Sequence, residues 1–125
     1  MMTDDTLSTG IQGEEVACRF LARKGYDILD RNWRSGRLEL DIIARQGDTI
    51  VFCEVKTARS RRFGSAIEWI TPRKVRHITQ AALGYIANHR IERCAFRFDV
   101  IGLDVREGEI AITHLENAFS AAGEW

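Results

Sequence analysis

The 125-residue chain has no net charge, because 18 lysine and arginine residues balance 18 aspartate and glutamate residues. A uniformly basic surface is therefore excluded, and any binding of nucleic acid must depend on how charge is distributed locally. Cysteine is also scarce. The three cysteines, Cys18, Cys53 and Cys94, are widely spaced and form no CxxC pair, which argues against a disulfide framework and against a zinc site.

Long hydrophobic runs are absent from the sequence. No apolar stretch is long enough to cross a membrane, and the acidic residues 1–5 are unlike a signal peptide. Together with the unpaired cysteines, these features predict a cytoplasmic protein without a membrane partner. The length suits a single domain over residues 1–125, in which residues 1–8 and about 117–125 are expected to be flexible.

Capping signals and hydrophobic patterns predict the order of helices and strands. Thr9 with Gln12 three residues later is typical of a helix start, Gly25 of a helix stop, and Thr71-Pro72 of a second helix start. The order α-β-β-β-α-β-β predicts a mixed sheet flanked by helices. The expected elements are helices at about 9–24 and 72–89, strands at 26–33, 37–46, 49–56, 95–105 and 109–115, and a short helical turn at 65–70.

The predicted hairpin at residues 37–56 carries acidic residues inside two apolar strands. A two-residue type II′ turn, with Gly47 at its first central position, would place Asp41 directly opposite Glu54. A register slip by one residue would leave the two as a diagonal pair instead. Carboxylates this close repel each other strongly unless a cation lies between them. The hairpin therefore predicts a cation site.

The oxygen atoms of this hairpin suggest which cation it would hold. Asp41, Glu54 and the carbonyl of Val55 form an oxygen-only ligand set, which suits Mg²⁺ or Mn²⁺. Lys56 lies two residues after Glu54, on the same face of the strand, where it could orient a water or neutralise charge on a phosphate. These parts predict a metal-assisted phosphodiester hydrolase. The alternative is that Glu54 and Lys56 form only solvated cross-strand ion pairs.

A basic segment follows the hairpin and would suit a polyanionic substrate such as DNA. Arg59, Arg61, Arg62, Lys74 and Arg76 are the candidate nucleic-acid-binding residues. A solvated loop and a solvated helix face would explain the same residues. Between residues 56 and 76 the basic residues are Lys56, Arg59, Arg61, Arg62, Arg73, Lys74 and Arg76, against the single acid Glu68.

Several blocks of the chain resemble the YraN-like family, an uncharacterised family of suspected endonucleases. Residues 39–44 (Glu-Leu-Asp-Ile-Ile-Ala) match the family's Glu-Ile-Asp-Leu-Ile-Ala, and residues 51–57 contain the counterpart of its Phe-Val-Glu-Val-Lys-Thr. Further matches extend the resemblance to roughly residues 10–119. The family belongs to the PD-(D/E)XK superfamily, which also contains the archaeal Holliday-junction resolvases.

This resemblance implies a restriction-endonuclease-like αβββαβ core and assigns roles within it. Asp41 and Glu54 would bind the metal, Lys56 would be the catalytic lysine, and Glu14 would complete the acidic site from the first helix. Without the resemblance, the helical pattern favours the interpretation of Glu14 as a first-turn acid that the helix dipole stabilises. Glu39 would either be an acid next to the metal ligands that does not contact the metal, or form an ion pair with a nearby arginine. Branched DNA is a candidate substrate, and a homodimer a candidate assembly.

Other residues have weaker functional interpretations. His77, His89 and His114 lie in different elements without ligand spacing, and are expected at the surface or at helix ends. Asp99 is expected either to support the site or to form an ion pair with Arg97. The tryptophans Trp33, Trp69 and Trp125 are expected to anchor packing, with base stacking as the alternative. The rival function is a catalytically silent module that uses a nuclease fold to bind nucleic acid or a protein.

Overall fold

The fold is known from a computed structural model, which describes residues 10–59, 66 and 70–120. The elements follow the predicted order and confirm an α/β fold with the αβββαβ core. One five-stranded sheet runs β1-β2-β3-β4-β5, and its pairs are antiparallel except for the parallel pair β3–β4. The elements are α1 Gly10–Arg23, β1 Asp27–Ser35, β2 Leu38–Gln46, β3 Thr49–Ala58, α2 Pro72–Asn88, β4 Ala95–Arg106 and β5 Glu109–Leu115.

The two helices cover opposite faces of the sheet because each is amphipathic. Helix α1 buries Ala17 and Leu21 completely against one face, in the first of two apolar clusters. It ends where expected, since Gly25 adopts φ 91 and the Tyr26 amide donates to the Leu21 carbonyl at 3.0 Å. Helix α2 packs into the second cluster on the other face.

Helix α2 starts at the predicted cap and forms the crossover that a parallel strand pair requires. The Thr71 hydroxyl accepts a hydrogen bond from the Lys74 amide at 3.1 Å, and Pro72 occupies the first helical turn. Val75 and Ile78 anchor the helix in the apolar cluster. The start of α2 is therefore fixed in position beside the end of β3.

The predicted hairpin register is confirmed. Gln46 pairs with Thr49 across the two-residue turn, and Gly47 adopts φ 60, as the first central position of a type II′ turn requires. The pairing of β2 with β3 runs up to Ile42 and Cys53. Beyond that point β2 continues beside β1, and β3 continues beside β4. The two strands thus diverge just where Asp41 and Glu54 lie.

A local reversal of alternation accompanies this divergence. In β1, Arg31 pairs with Glu15 on the α1 face, whereas Trp33 packs edge-on against Tyr85 on the α2 face. Residues two positions apart in a β-strand normally share a face of the sheet. Between them, Asn32 adopts φ 51, a left-handed conformation that asparagine tolerates better than most residues. The neighbouring strand β2 reverses in the same way around Asp41, since Leu40 and Ile42 belong to different clusters.

Several expectations concern residues that lie outside this description. Arg61, Arg62, Trp69 and Trp125 are among them, as are residues 1–8 and most of the helical turn expected at 65–70. The tail expected to be flexible from about residue 117 is held at its start, because the Ala118 amide donates to the Phe98 carbonyl at 2.7 Å and Phe119 is buried. No described helix has the length and apolar character to cross a membrane.

Candidate active site

A cleft of about 280 Å³ opens where β2 and β3 diverge, between the start of α2 and the first half of α1. The structure brings six of the predicted site side chains into it, together with the main chain at Val55. Most of the lining residues are polar, and they include four carboxyl groups and two lysines. The lining residues are Glu14, Glu39, Asp41, Glu54, Val55, Lys56, Thr57 and Lys74.

Asp41 and Glu54 form the centre of the cleft and contact each other directly. The Asp41 Oδ2 atom accepts a hydrogen bond from the Val55 amide at 2.8 Å, and so takes the place of a backbone acceptor where the ladder has ended. A second hydrogen bond joins the two carboxyl groups, and it lowers the pKa of Asp41 while it raises the pKa of Glu54. Burial raises the pKa of Asp41, although these two hydrogen bonds oppose the shift.

Glu54 is 5% exposed, one of two charged residues that the described part of the chain buries. Burial, and then the Asp41 carboxylate, raise its pKa from 4.5 to about 8. Its Oε1 atom lies 3.1 Å from the Nζ atom of Lys74. Burial alone would lower the pKa of Lys74, but the Glu54 carboxylate outweighs burial and the net shift is upward.

The raised pKa of Glu54 predicts that stability falls as the pH rises. Above pH 4.5 the unfolded chain loses the Glu54 proton, whereas the folded protein keeps it up to about pH 8. The metal-free protein should therefore lose a few kcal/mol of unfolding free energy across this interval, and Glu54→Gln should remove most of that loss. Thermal unfolding at a series of pH values, with chelator present, tests this. Equal pH slopes for both proteins would contradict it.

Lys56 lines the same cleft as Glu54 and is half-buried. The alternation of β3 places it on the Glu54 face, as predicted, because Val51 and Cys53 face α1 while Phe52 faces α2. Lys56 lies on β3, and the pairing of β3 with β4 along its other edge holds the backbone at this position. This position allows Lys56 to act on a group bound at the acidic pair.

Glu14 reaches the cleft from α1, a contact that the helical pattern alone did not establish. Its Oε2 atom is buried and has no hydrogen-bond partner among the residues that the structure describes. Burial and the nearby Asp41 carboxylate raise the pKa of Glu14, while a hydrogen bond from the Asn32 side chain opposes this. A buried carboxylate oxygen without a partner is costly, and it indicates that the cleft is built to receive another group.

Asn32 is the site residue that the sequence reasoning missed as a functional position. It holds the left-handed turn in β1 and contacts Glu14 with its side chain. We expect Asn32→Gly to keep the fold but raise the pKa of Glu14 further, because glycine accepts φ 51 and removes the hydrogen bond. Asn32→Ala should lose about 1–2 kcal/mol of stability through backbone strain as well.

Carbon-13 NMR titration of the Glu14 carboxyl and thermal unfolding separate these two effects. The glycine variant serves as the control for strain, because it lacks the hydrogen bond but fits the backbone. Equal stability of the glycine and alanine variants would show that the left-handed conformation carries no cost at this position.

Glu39 combines both roles that were considered for it. It lines the cleft, and its Oε2 atom also lies 3.2 Å from the Nε atom of Arg34 on the neighbouring strand. The Arg34 side chain is 72% exposed, so this ion pair is solvated and contributes little to stability. Its carboxylate nevertheless raises the pKa of Asp41 and adds negative charge to the cleft.

The donor set fits a small divalent cation that keeps several of its waters. No cluster of three or more His, Cys, Asp or Glu side chains within the described ranges is arranged to enclose a metal. Asp41 and Glu54 supply two carboxylates, and the Val55 carbonyl points to the same strand edge as the amide that Asp41 binds. Mg²⁺ is usually bound by one or two carboxylates and completed by water, so this set suits it.

The predicted DNA-binding residues divide into three groups. Lys74 lies inside the cleft, where its ammonium group is paired with Glu54. Arg59, directly after β3, and Arg76, on α2, are exposed and outside the cleft lining. Arg61 and Arg62 are outside the described part of the chain.

Asp99 belongs to a separate buried network rather than to the cleft. It is 0% exposed, and it accepts hydrogen bonds from Arg97 Nε at 2.8 Å and from the Asn117 amide at 2.9 Å. His114 Nε2 lies 2.7 Å from Asp99, and the His114 side chain is 3% exposed. The expectation of a surface position is therefore wrong for His114, while His89 does cap the end of α2.

The chain matches a described family and several of its bacterial members. The profile of "Uncharacterised protein family UPF0102" matches residues 13–103. A UPF0102 protein of Syntrophomonas wolfei is 44% identical over 110 residues, covering 88% of this chain and 96% of the relative. A UPF0102 protein of Chlorobaculum parvum is 46% identical over 121 residues, covering 92% and 94%.

Among solved structures, Pyrococcus furiosus SfsA in complex with Ca²⁺ aligns with 16% identity and a TM-score of 0.41. The alignment covers 86% of this chain and 62% of that one. The family match is far stronger and agrees with the YraN-like resemblance of the hairpin blocks. On that match, the chain belongs to the uncharacterised family UPF0102.

Proposed function

We propose that this protein is a Mg²⁺- or Mn²⁺-dependent endonuclease that hydrolyses phosphodiester bonds in DNA. The observation that carries the proposal is the buried contact between Asp41 and Glu54, with Lys56 on the same cleft wall. Burying two carboxyl groups against each other costs stability that well-packed apolar residues of similar volume would not cost. Such an arrangement is typical of a functional site.

Each side chain has a role in this proposal. Asp41, Glu54 and the Val55 carbonyl hold the cation, which when bound polarises the phosphoryl oxygen and acidifies a water. Lys56 orients the attacking water and neutralises charge that develops on the phosphate. Glu14 would add its carboxyl oxygen to the acidic site beside the cation, and Glu39 keeps the cleft negative.

The basic residues around the cleft would hold the DNA backbone. Arg59 and Arg76 are exposed, and Arg61 and Arg62 continue the basic segment of the sequence. Branched DNA is the substrate class we favour, acted on by a homodimer, in keeping with the resolvase resemblance. We place the activity in the cytoplasm, because Cys18, Cys53 and Cys94 are all free thiols.

The test is cleavage of linear, nicked, flapped and four-way DNA in the presence of Mg²⁺ or Mn²⁺. We expect cleavage by the wild type, and Lys56→Ala should lower the rate on the order of 10²-fold, because a charge that acts in the transition state is lost. Arg45→Ala is the matched control, because it removes an exposed charge from β2 outside the cleft. Equal cleavage by wild type and Lys56→Ala would point to a contaminating nuclease.

A catalytically silent binding module is the second candidate. The ion pair between Lys74 and Glu54 favours it, since this pair already supplies a cation to the acidic cluster. The zero net charge is also unusual for a nuclease. Calorimetry with Mn²⁺ separates the two functions. A silent module without a metal site would give the same heat of Mn²⁺ titration for the wild type and for Asp41→Asn.

A further inference from the structure

Lys74 occupies the position where a cation is expected. Its Nζ atom lies 3.1 Å from Glu54 Oε1, and the Lys74 side chain is 37% exposed while that of Glu54 is 6% exposed. The lysine thus inserts its charge into the cleft from the solvent side. At this distance the contact is a charge-assisted hydrogen bond, which is stronger than one between neutral groups.

The main chain of Lys74 is fixed by the helix start, whereas its long side chain has several rotatable bonds. The Lys74 amide donates to the N-cap Thr71, and the next residue, Val75, is fully buried. The four-carbon side chain leaves the helix near the cleft mouth, so rotation about its bonds can carry the ammonium group outward without moving α2. The outward position remains near any phosphate bound at the acidic pair.

Charge balance makes the two cations alternatives. In the structure Lys74 supplies the positive charge that contacts the acidic pair, and a divalent cation beside Glu54 would meet the ammonium group at close range. Like charges at such a distance in a partly buried cleft repel strongly. Lys74 and a divalent cation therefore cannot both contact Glu54 Oε1 at low cost.

We propose that Lys74 is a resident counter-ion of the acidic pair, displaced when a divalent cation binds there and thereby released to bind a substrate phosphate. This inference rests on the proposed metal site. It implies that the cation and the phosphate bind cooperatively through one side chain, since each favours the outward position of Lys74. The protein would thus bind substrate most tightly after its cation is in place.

Calorimetric titration with Mg²⁺ at about pH 9 tests the first half of the proposal, the displacement of Lys74 by the cation. At this pH protons compete little with Mg²⁺ for Glu54, because the pKa of Glu54 is about 8. Lys74→Met should bind Mg²⁺ about tenfold more tightly than the wild type, since no charge-assisted hydrogen bond has to break. Lys74→Arg keeps the counter-ion and should resemble the wild type. Arg73→Met removes one exposed charge from the same turn and should change the affinity little.

The salt dependence of DNA binding tests the second half of the proposal, the release of Lys74 to a phosphate, in a Lys56→Ala background that slows cleavage by on the order of 10²-fold. With Mg²⁺ present, adding Lys74→Met should reduce the slope of log K against log salt by about one phosphate contact. Without Mg²⁺ the same substitution should leave the slope unchanged, because Glu54 then holds Lys74. Any effect of Arg73→Met should be equal in both conditions.

The outcomes separate a failure of the counter-ion role of Lys74 from a failure of the proposed metal site on which it rests. If Mg²⁺ binds to the wild type and Lys74→Met binds it with equal or lower affinity, the counter-ion role is overturned while the metal site stands. Tighter binding by Lys74→Arg as well would also overturn it. If no protein binds Mg²⁺ or Mn²⁺, the metal site itself fails.

Discussion

Asp41→Asn should abolish Mn²⁺ binding and lower DNA cleavage by on the order of 10³-fold or more, because a metal ligand and its charge are lost together. The fold should survive, since the asparagine side-chain oxygen can still accept the hydrogen bond from the Val55 amide. At about pH 8 the metal-free variant should unfold at an equal or higher temperature, because the repulsion with Glu54 is gone. Calorimetry, cleavage assays and thermal unfolding measure the three effects.

Glu15→Gln is the matched control for this experiment. Glu15 neighbours Glu14 in the sequence but pairs with Arg19 and Arg31 outside the cleft, so its neutralisation should leave metal binding unchanged. If Asp41→Asn and Glu54→Gln both bind Mn²⁺ like the wild type, the acidic pair is a structural feature of the hairpin. Lost activity together with lost stability would indicate that Asp41 is needed for folding instead.

Asp99→Ala should cost about 3–5 kcal/mol of unfolding free energy, the largest stability effect expected in this chain. Asp99 is completely buried and accepts hydrogen bonds from Arg97, His114 and the Asn117 amide, so alanine leaves these donors without an acceptor. These bonds outweigh burial and lower the pKa of Asp99, which shows that the ionised form is favoured. Urea unfolding near neutral pH measures the loss.

Asp27→Ala provides the comparison, because Asp27 is an exposed aspartate at the start of β1. It should change the unfolding free energy by no more than about 0.5 kcal/mol. Metal binding at the cleft should be unaffected in Asp99→Ala at temperatures where the variant is folded. A loss below about 1 kcal/mol would mean that the network is solvated and contributes little.

The hairpin could be predicted from the sequence because its determinants are local. Gly47 sets a two-residue turn, the turn sets the register, and the register brings Asp41 and Glu54 together. The side of the sheet that Lys56 faces follows from the same alternation. Few contacts beyond the hairpin itself are needed for these conclusions, which is why they hold in the structure.

The contacts that were missed join residues far apart in the chain. The ion pair of Lys74 with Glu54 depends on where α2 docks, which a helical pattern does not specify. His114 is buried because Lys24 Nζ, 2.7 Å from its Nδ1, and Asp99 bracket the ring, although 90 residues separate His114 from Lys24. Asn32 departs from strand geometry at one residue, and no periodic pattern marks such a position.

The divergence of β2 and β3 also leaves the final residues of β3 bonded to β4 alone. A strand segment with one open side can pair with a second chain, and natural proteins commonly guard such edges with charged side chains. Glu54 and Lys56 lie along this segment, and the Asp41 carboxylate caps the first open amide. Lys56 and the Asp41 cap are thus expected to oppose pairing with a second chain along this edge, so a neutral version of the cleft should aggregate more readily.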